Sequence, residues 1–256
     1  MSNQLTACFN GCSFTWGEGF PEKDRELYIY DRVVARNLGY KRVNIAERGS
    51  SNHRIFIRSV NAIEQGMCDV LFVQWSALNR IWLSPGPCAW YCTNPAPEIS
   101  KYQYRDIILE GQKKLEFELT LRMLNHDFNN ILELIDYCNI LSTLAQQKNM
   151  RVVFINGLIP WTDDVIKPLS GDLGSSFSSY TKEILDFNNR NDNELEEYFS
   201  ILQEKFSTLD QSKWVNIFDS FFSSSVDQGP EGHHPGILSH QQMADKVINY
   251  MRTNAQ

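Results

Sequence analysis

The run DVLFVQW, residues 69–75, is apolar at Val70, Leu71, Phe72, Val73 and Trp75 and holds no Gly or Pro. A strand with one face in water alternates polar and apolar side chains. A run that is apolar on both phases is a strand covered on both faces, as in a parallel sheet. Four further stretches read as strands: LTACFN (5–10), RVNIA (42–46), MRVVFIN (150–156) and WVNIF (214–218). Helical spacing fills the intervals. In 22–38, Leu27, Tyr30, Val33 or Val34, and Leu38 share one face, and Gly39 stops the helix. Ser50 or Ser51 caps the next helix, which carries Ile55, Val60 and Ile63 and ends at Gly66. Residues 105–148 are helical, with a stripe of Phe128, Ile131, Leu132, Ile135, Cys138 and Leu141 or Ser142. Segment 193–209 is an amphipathic helix whose acidic face is solvated. The last helix is predicted from Ser239, with Gln242 completing a capping box. Strands alternating with helices make an α/β fold with a mostly parallel sheet of about five strands.

Two long stretches interrupt this pattern. Residues 82–104 are rich in proline and aromatics, and 157–181 in glycine, proline and serine. Both read as irregular loops, so the expectation is a single domain over 1–256 with long insertions at 82–104 and 157–181. Trp82, Trp90, Tyr91, Tyr102 and Tyr104 either form a platform for a sugar ring or acyl chain, or pack the first loop onto the domain.

Composition narrows the function. The 256 residues carry a net charge of −7 and no run of Lys and Arg, which argues against nucleic acid as a partner. No stretch of about 18 apolar residues is present, so no membrane span is expected. The first residues lack a basic segment followed by an apolar one, and the predicted location is cytoplasmic. Six cysteines stand at 8, 12, 68, 88, 92 and 138. The pairs Cys8/Cys12 and Cys88/Cys92 have a spacing that zinc uses, but Cys8 sits in a predicted buried strand. The six are read as reduced structural thiols, with no metal and no cofactor. Cys12 as a nucleophile is the weaker reading, since nothing near it in sequence lowers its pKa.

Ligands of open α/β sheets bind outside the carboxyl ends of the strands. FNGCSFTWGEGF (9–20) begins at such an end, with Ser13 among Gly11, Gly17 and Gly19. Alone, Ser13 reads first as a cap or turn residue. Near the other terminus, DQGPEGHHPGILSHQQMA (227–244) holds three of the five histidines. A serine hydroxyl becomes a nucleophile when a base takes its proton and a third group orients that base. Glu231 and His234, three apart in a loop with Gly232 and Pro235, supply a carboxylate and an imidazole. Trp16, three residues past Ser13, is expected to wall the pocket. His53 and His126 are read as structural or solvated, and His240 as a surface residue in the first turn of the last helix.

These blocks resemble those of the SGNH/GDSL hydrolase family. Its first block, a Gly-x-Ser turn after strand one, is Gly11-Cys12-Ser13 here. Its last block, Asp-x-x-His followed by Pro before the final helix, is Glu231-Gly232-His233-His234-Pro235, with glutamate in place of aspartate. The resemblance implies Ser13 as nucleophile, His234 as base and Glu231 as the orienting carboxylate. In NIAERGSSN (44–52), Gly49 matches the glycine whose N–H serves the oxyanion hole beside that of Ser13, and Asn52 is near enough to assist. The third block departs from the family. In VQWSALNR (73–80), Ser76 stands near the position of the usual Asn, with Asn79 three residues on. Losing one oxyanion donor typically costs about 10²–10³ in rate.

The implied fold is a flavodoxin-like three-layer α/β/α sandwich. The implied activity is cleavage of an O-acyl ester, on a carbohydrate or similar polar metabolite, through an acyl-enzyme and without a cofactor. Trp16, Asn52, Trp75 and Trp90 are the expected substrate contacts. Two other readings share the sequence: an O-acyltransferase using the same triad, and a non-catalytic binding protein that keeps the fold. The altered third block favours the second of these.

Overall fold

All six residues of Val70–Trp75 are buried in the computed structural model, in a sheet covered on both faces. The structure describes residues 4–77, 80–83, 89–92, 127–158, 192–232 and 234–254. In chain order the elements begin with β1 (Thr6–Asn10), α1 (Ser13–Trp16), α2 (Glu22–Tyr28), α3 (Tyr30–Leu38), β2 (Lys41–Asn44), α4 (Asn52–Glu64) and β3 (Val70–Trp75). They continue with β4 (Arg80–Leu83), β5 (Ala89–Cys92), α5 (Asp127–Gln147), β6 (Arg151–Asn156), α6 (Asp192–Ser207), a 3-10 turn (Gln211–Lys213) and α7 (Ile237–Thr253). The chain divides into two units, one of residues 1–77, 138–160 and 210–256, the other of residues 78–137 and 161–209.

The first unit holds a parallel sheet of four strands in the order β2-β1-β3-β6. Cys8 pairs with Val43 on one side and Leu71 on the other, and Leu71 pairs in turn with Val152. Successive strand residues point to opposite faces. One face carries Ala7, Phe9, Phe72, Val153 and Ile155, which pack with Val33 and Val34 of α3 and Met243, Val247 and Met251 of α7. Phe9 and Phe72 stack there at 4.7 Å. On the other face, Asn10 Nδ2 donates to Ile55 O (2.7 Å) and Ser59 Oγ (2.8 Å) of α4. Trp75 stacks on Phe154 on that same side, and its indole lies beside the Cys138 thiol of α5. Helices on both faces make three layers, the expected α/β/α sandwich.

Several local expectations are corrected. The predicted helix 22–38 is broken at Ile29, whose ψ of 144° is extended backbone. The break leaves Leu27 exposed and buries Ile29 and Tyr30. It also frees the Tyr30 N–H, at the start of α3, to donate to His240 Nδ1 (3.2 Å). The fifth strand, WVNIF, is reduced to one parallel bridge between Phe154 and Trp214. Beyond it a side chain takes over the ladder: Asn216 Oδ1 accepts from Asn156 N (2.9 Å) and Asn216 Nδ2 donates to Asn156 O (3.0 Å).

The last helix starts at Ile237, two residues before the predicted Ser239. Its cap comes from Asp227, which accepts from Leu238 N (3.0 Å), Ser239 N (2.7 Å) and Ser239 Oγ (2.6 Å). The capping-box pattern therefore does not set the helix start.

In the second unit, β4 and β5 pair antiparallel with Trp82 opposite Trp90. This replaces the irregular loop expected at those positions. Pro85 and Pro87, which argued for a loop, lie between the two strands in sequence. Lys205 of α6 pairs with Asp136 of α5 at 2.7 Å. Residues 84–88, 93–126 and 159–191, with most of both predicted insertions, lie outside the described residues. Among the described residues, no helix is long and apolar enough to cross a membrane.

Candidate active site

The turn after β1 is held from three sides. Asn10 Oδ1 accepts from Gly11 N (2.9 Å) at the strand end. A Cβ on Gly11 would collide with Thr15 Oγ1, so only glycine lets the chain fold back so tightly. α1 then begins at Ser13, and its last turn is closed by the N–H groups of Gly17 and Glu18, which both donate to Ser13 O (2.9 Å). Thr15 is buried and clamps α1 to the sheet. Its hydroxyl donates to Gln74 Oε1 and takes the Tyr30 hydroxyl at 2.9 Å. Burial pushes the Tyr30 phenol well above its ordinary pKa, so it stays protonated as that donor. From β2, Asn44 Nδ2 donates both to Thr15 O (2.9 Å) and to the buried Asp31 carboxylate (2.6 Å).

The C-terminal loop forms a second tight turn. Gly229 N donates to His234 O (2.8 Å), Gly232 N donates to Gly229 O (2.9 Å), and Gln228 bridges Pro235. This fold brings Glu231 Oε2 to 3.7 Å from His234 Nδ1. Asp227, the loop's other carboxylate, is occupied as the cap of α7. Burial alone would raise its carboxyl, but the hydrogen bonds from Ser239 and Leu238 hold it below the usual range.

The two turns touch. The Phe14 ring meets the His234 imidazole edge-on at 5.7 Å. A Cβ on Gly19, where φ is +92°, would lie 3.4 Å from His234 Cβ. Ser13 is only 2% exposed and sits beside Phe14 at the start of α1. The structure thus brings Ser13, His234 and Glu231 into one region at the carboxyl end of β1.

A residue not singled out from sequence joins them. Glu18 Oε2 lies 3.7 Å from His234 Nε2, and Glu18 Oε1 lies 3.2 Å from Arg48 Nη1. Gly17 and Gly19 on either side of Glu18 were the signal: glycines flanking a charge mark a turn that presents it.

The other expected site residues are placed as follows. The Trp16 ring lies beneath two guanidiniums, Arg25 at 3.9 Å and Arg48 at 5.0 Å. Gly49 occupies the turn closed by Ser50 N donating to Glu47 O (3.3 Å). Asn52 is buried at the start of α4 and turns its amide to backbone. Its Oδ1 accepts from Ser76 N (2.7 Å), and its Nδ2 donates to Ser76 O and Ala77 O (3.4 Å each). Asn52 therefore pins the end of β3 rather than reaching toward a substrate. Ser76 Oγ is buried and has no hydrogen-bond partner among the described residues. The Trp75 indole is 1% exposed and belongs to the core beneath the site, not to a wall that a substrate reaches. Trp90 lies in β5 of the second unit, and Asn79 lies outside the described residues.

His240, expected at the surface, is fully buried among Phe20, Tyr30 and Phe221. Burial pushes its imidazole down to about 3, with Asp227 opposing and His234 adding to the effect. Cys8, Cys12, Cys68 and Cys138 are buried free thiols. Among the described residues, no three His, Cys, Asp or Glu side chains cluster as a metal site would require.

No protein-family model and no curated protein matches the chain. Its fold is similar to those of solved structures at low sequence identity. One is a lipolytic protein of the G-D-S-L family from Desulfitobacterium hafniense, with 9% identity and a TM-score of 0.45 over 96% of this chain and 99% of that one. Another is a GDSL-like lipase from Bacteroides thetaiotaomicron, with 9% identity and a TM-score of 0.44 over 99% and 90%. A third is a carbohydrate esterase family 2 enzyme with a carbohydrate binding domain from Corynascus thermopiles, with 11% identity and a TM-score of 0.49 over 100% of this chain and 68% of that one.

Proposed function

We propose that this chain is a serine hydrolase of the SGNH/GDSL kind that cleaves an O-acyl ester through an acyl-enzyme. The observation that carries the reading is the contact between the Ser13 turn and the His234 loop, with Phe14 against the imidazole and Glu231 at its Nδ1. Ser13 Oγ attacks the ester carbonyl carbon while His234 Nε2 takes the hydroxyl proton. The carbonyl electron pair moves onto oxygen, and Glu231 holds the imidazolium by its Nδ1 side. The tetrahedral intermediate collapses, and the departing alkoxide takes the proton from His234. Water then repeats the sequence: His234 takes its proton, hydroxide attacks the acyl carbon, and Ser13 leaves with the proton as the acid is released.

The backbone N–H groups of Ser13 and Gly49 are assigned to the oxyanion. The buried Ser76 hydroxyl, with no partner among the described residues, is the third donor, and Asn79 is the other candidate. The chain is read as one catalytic domain over 1–256, with long insertions at 82–104 and 157–181. The substrate is read as an acylated carbohydrate or similarly polar metabolite, and no cofactor enters the chemistry.

One observation favours a second reading. Asn52 already occupies the Ser76 N–H, so that backbone donor at the end of β3 is closed to an oxyanion. That is what a non-catalytic binding protein would show. Acid release from a panel of O-acetylated sugars and from p-nitrophenyl acetate separates the two. Release that disappears in Ser13→Ala supports the hydrolase; sugar binding without release supports the binding protein.

A further inference from the structure

His234 has a carboxylate at each ring nitrogen, and the proposed triad uses only one of them. Glu231 stands at Nδ1 and Glu18 at Nε2, both at 3.7 Å. Glu18 is fixed there by its own backbone. Its N–H donates to the carbonyl oxygen of Ser13 (2.9 Å), so its side chain rises from the same turn as the nucleophile. Its other oxygen is held by Arg48. The two carboxylates differ in exposure: the Glu231 side chain is 57% exposed and that of Glu18 25%. Solvent screens the first more than the second.

We propose that Glu18 is a positioning residue that strengthens His234 as the base and stabilises the imidazolium formed when Ser13 gives up its proton. The inference rests on the serine-hydrolase reading. The proposed mechanism requires the His234 proton on Nδ1 before reaction, and the lone pair on Nε2 then gains nothing from Glu18. Once Nε2 takes the serine proton, a full positive charge forms 3.7 Å from the Glu18 carboxylate. The interaction strengthens only as the charge develops, which is the condition for lowering a barrier. Arg48 draws one of the Glu18 oxygens aside, so the carboxylate does not hold the imidazolium so firmly that the leaving alkoxide is denied its proton.

Other charged groups near the ring do not supply this role. Glu231 faces Nδ1 from the loop itself. His240, on α7, is neutral near pH 7, because burial holds it down to about 3. Phe14 and Gly19 contribute no charge.

The test is the pH dependence of p-nitrophenyl acetate hydrolysis in the wild type, Glu18→Gln and Glu18→Asp, together with NMR titration of the His234 ring. In Glu18→Gln, the acid limb of kcat/KM and the His234 midpoint are expected to move down by about one pH unit, since an opposite charge within 4–6 Å shifts a titration by about 1–3 units before screening. The plateau rate is expected to fall about tenfold through kcat, with KM little changed. Glu18→Asp recovers part of both. A second variant, Arg48→Ala, moves the midpoint upward, and it decides the matter if Glu18→Gln fails to fold. An unchanged His234 midpoint in Glu18→Gln, or no upward shift in Arg48→Ala, overturns the proposal. If the folded wild type hydrolyses nothing, the hydrolase reading fails, and the NMR midpoint still decides whether Glu18 acts on His234.

Discussion

The backbone N–H of Tyr30 donates to Nδ1 of His240 across 210 residues of sequence, at 3.2 Å. One imidazole thereby caps α3 from α7 and fixes the kink that buries Tyr30 under the Ser13 turn. A ring used as an acceptor inside the core must stay neutral.

Stability is therefore expected to fall in mild acid. The folded His240 imidazole sits at about 3, against 6.5 for an exposed histidine. Between these values the unfolded chain binds a proton that the folded chain does not, so stability is full above about pH 6.5 and is lost as pH falls. The slope is about 1.4 kcal/mol per pH unit, or about 2 kcal/mol between pH 6.5 and 5. Urea unfolding at those two pH values measures it, and His240→Gln is expected to lose most of the slope. An equal slope in that variant would assign the acid sensitivity elsewhere.

Thr15→Val keeps the side chain's shape and removes its hydroxyl. The Tyr30 hydroxyl and Gln74 Oε1 then lose the group that joins them inside the core. Stranding buried polar groups costs about 1–3 kcal/mol each. Chemical denaturation should register a loss of about 2–4 kcal/mol, with reduced activity because α1 carries Ser13. A neutral result would mean that α1 is held by other contacts.

The two carboxylates of the C-terminal loop are expected to separate cleanly. Asp227→Ala removes the cap of α7 and costs about 1–2 kcal/mol of stability. Glu231→Gln leaves stability nearly unchanged, since its side chain is mostly exposed, and lowers kcat. Thermal melts and kinetics on both variants check this. A stable but inactive Asp227→Ala would assign Asp227, not Glu231, as the partner of His234.

Asn52→Ala releases the backbone of Ser76 at the end of β3. Loss of that buried hydrogen bond is expected to destabilise by about 1–3 kcal/mol. If the oxyanion donors depend on this pin, kcat falls as well while KM holds. Activity at the wild-type level would remove Asn52 from the account of the site.

The sequence carried the sheet well because burial on both faces writes itself as unbroken apolar runs, as in Val70–Val73. It also carried the order of the Ser13 and His234 blocks, since each lies at a strand end or before a helix. The helix break at Ile29 was hidden, because the group that takes the freed Tyr30 N–H is His240, a partner 210 residues away that no local periodicity reveals. WVNIF looked like a strand because the run is apolar, yet the Asn216 amide replaces the backbone in the ladder. Asn52 looked like a free donor, and only the structure shows it bound to Ser76. Glu18 was legible only as a charge between two glycines. Its distance from the imidazole depends on how the first turn and the last loop meet.

Labelling with an active-site-directed fluorophosphonate, followed by mass spectrometry of the modified peptide, tests the central assignment most directly. The expected adduct is on Ser13, forms in folded wild-type protein, and is lost in Ser13→Ala and strongly slowed in His234→Ala. Folded protein that takes no label, or takes it at another residue at the same rate in both variants, would contradict the assignment of Ser13 and His234 as nucleophile and base.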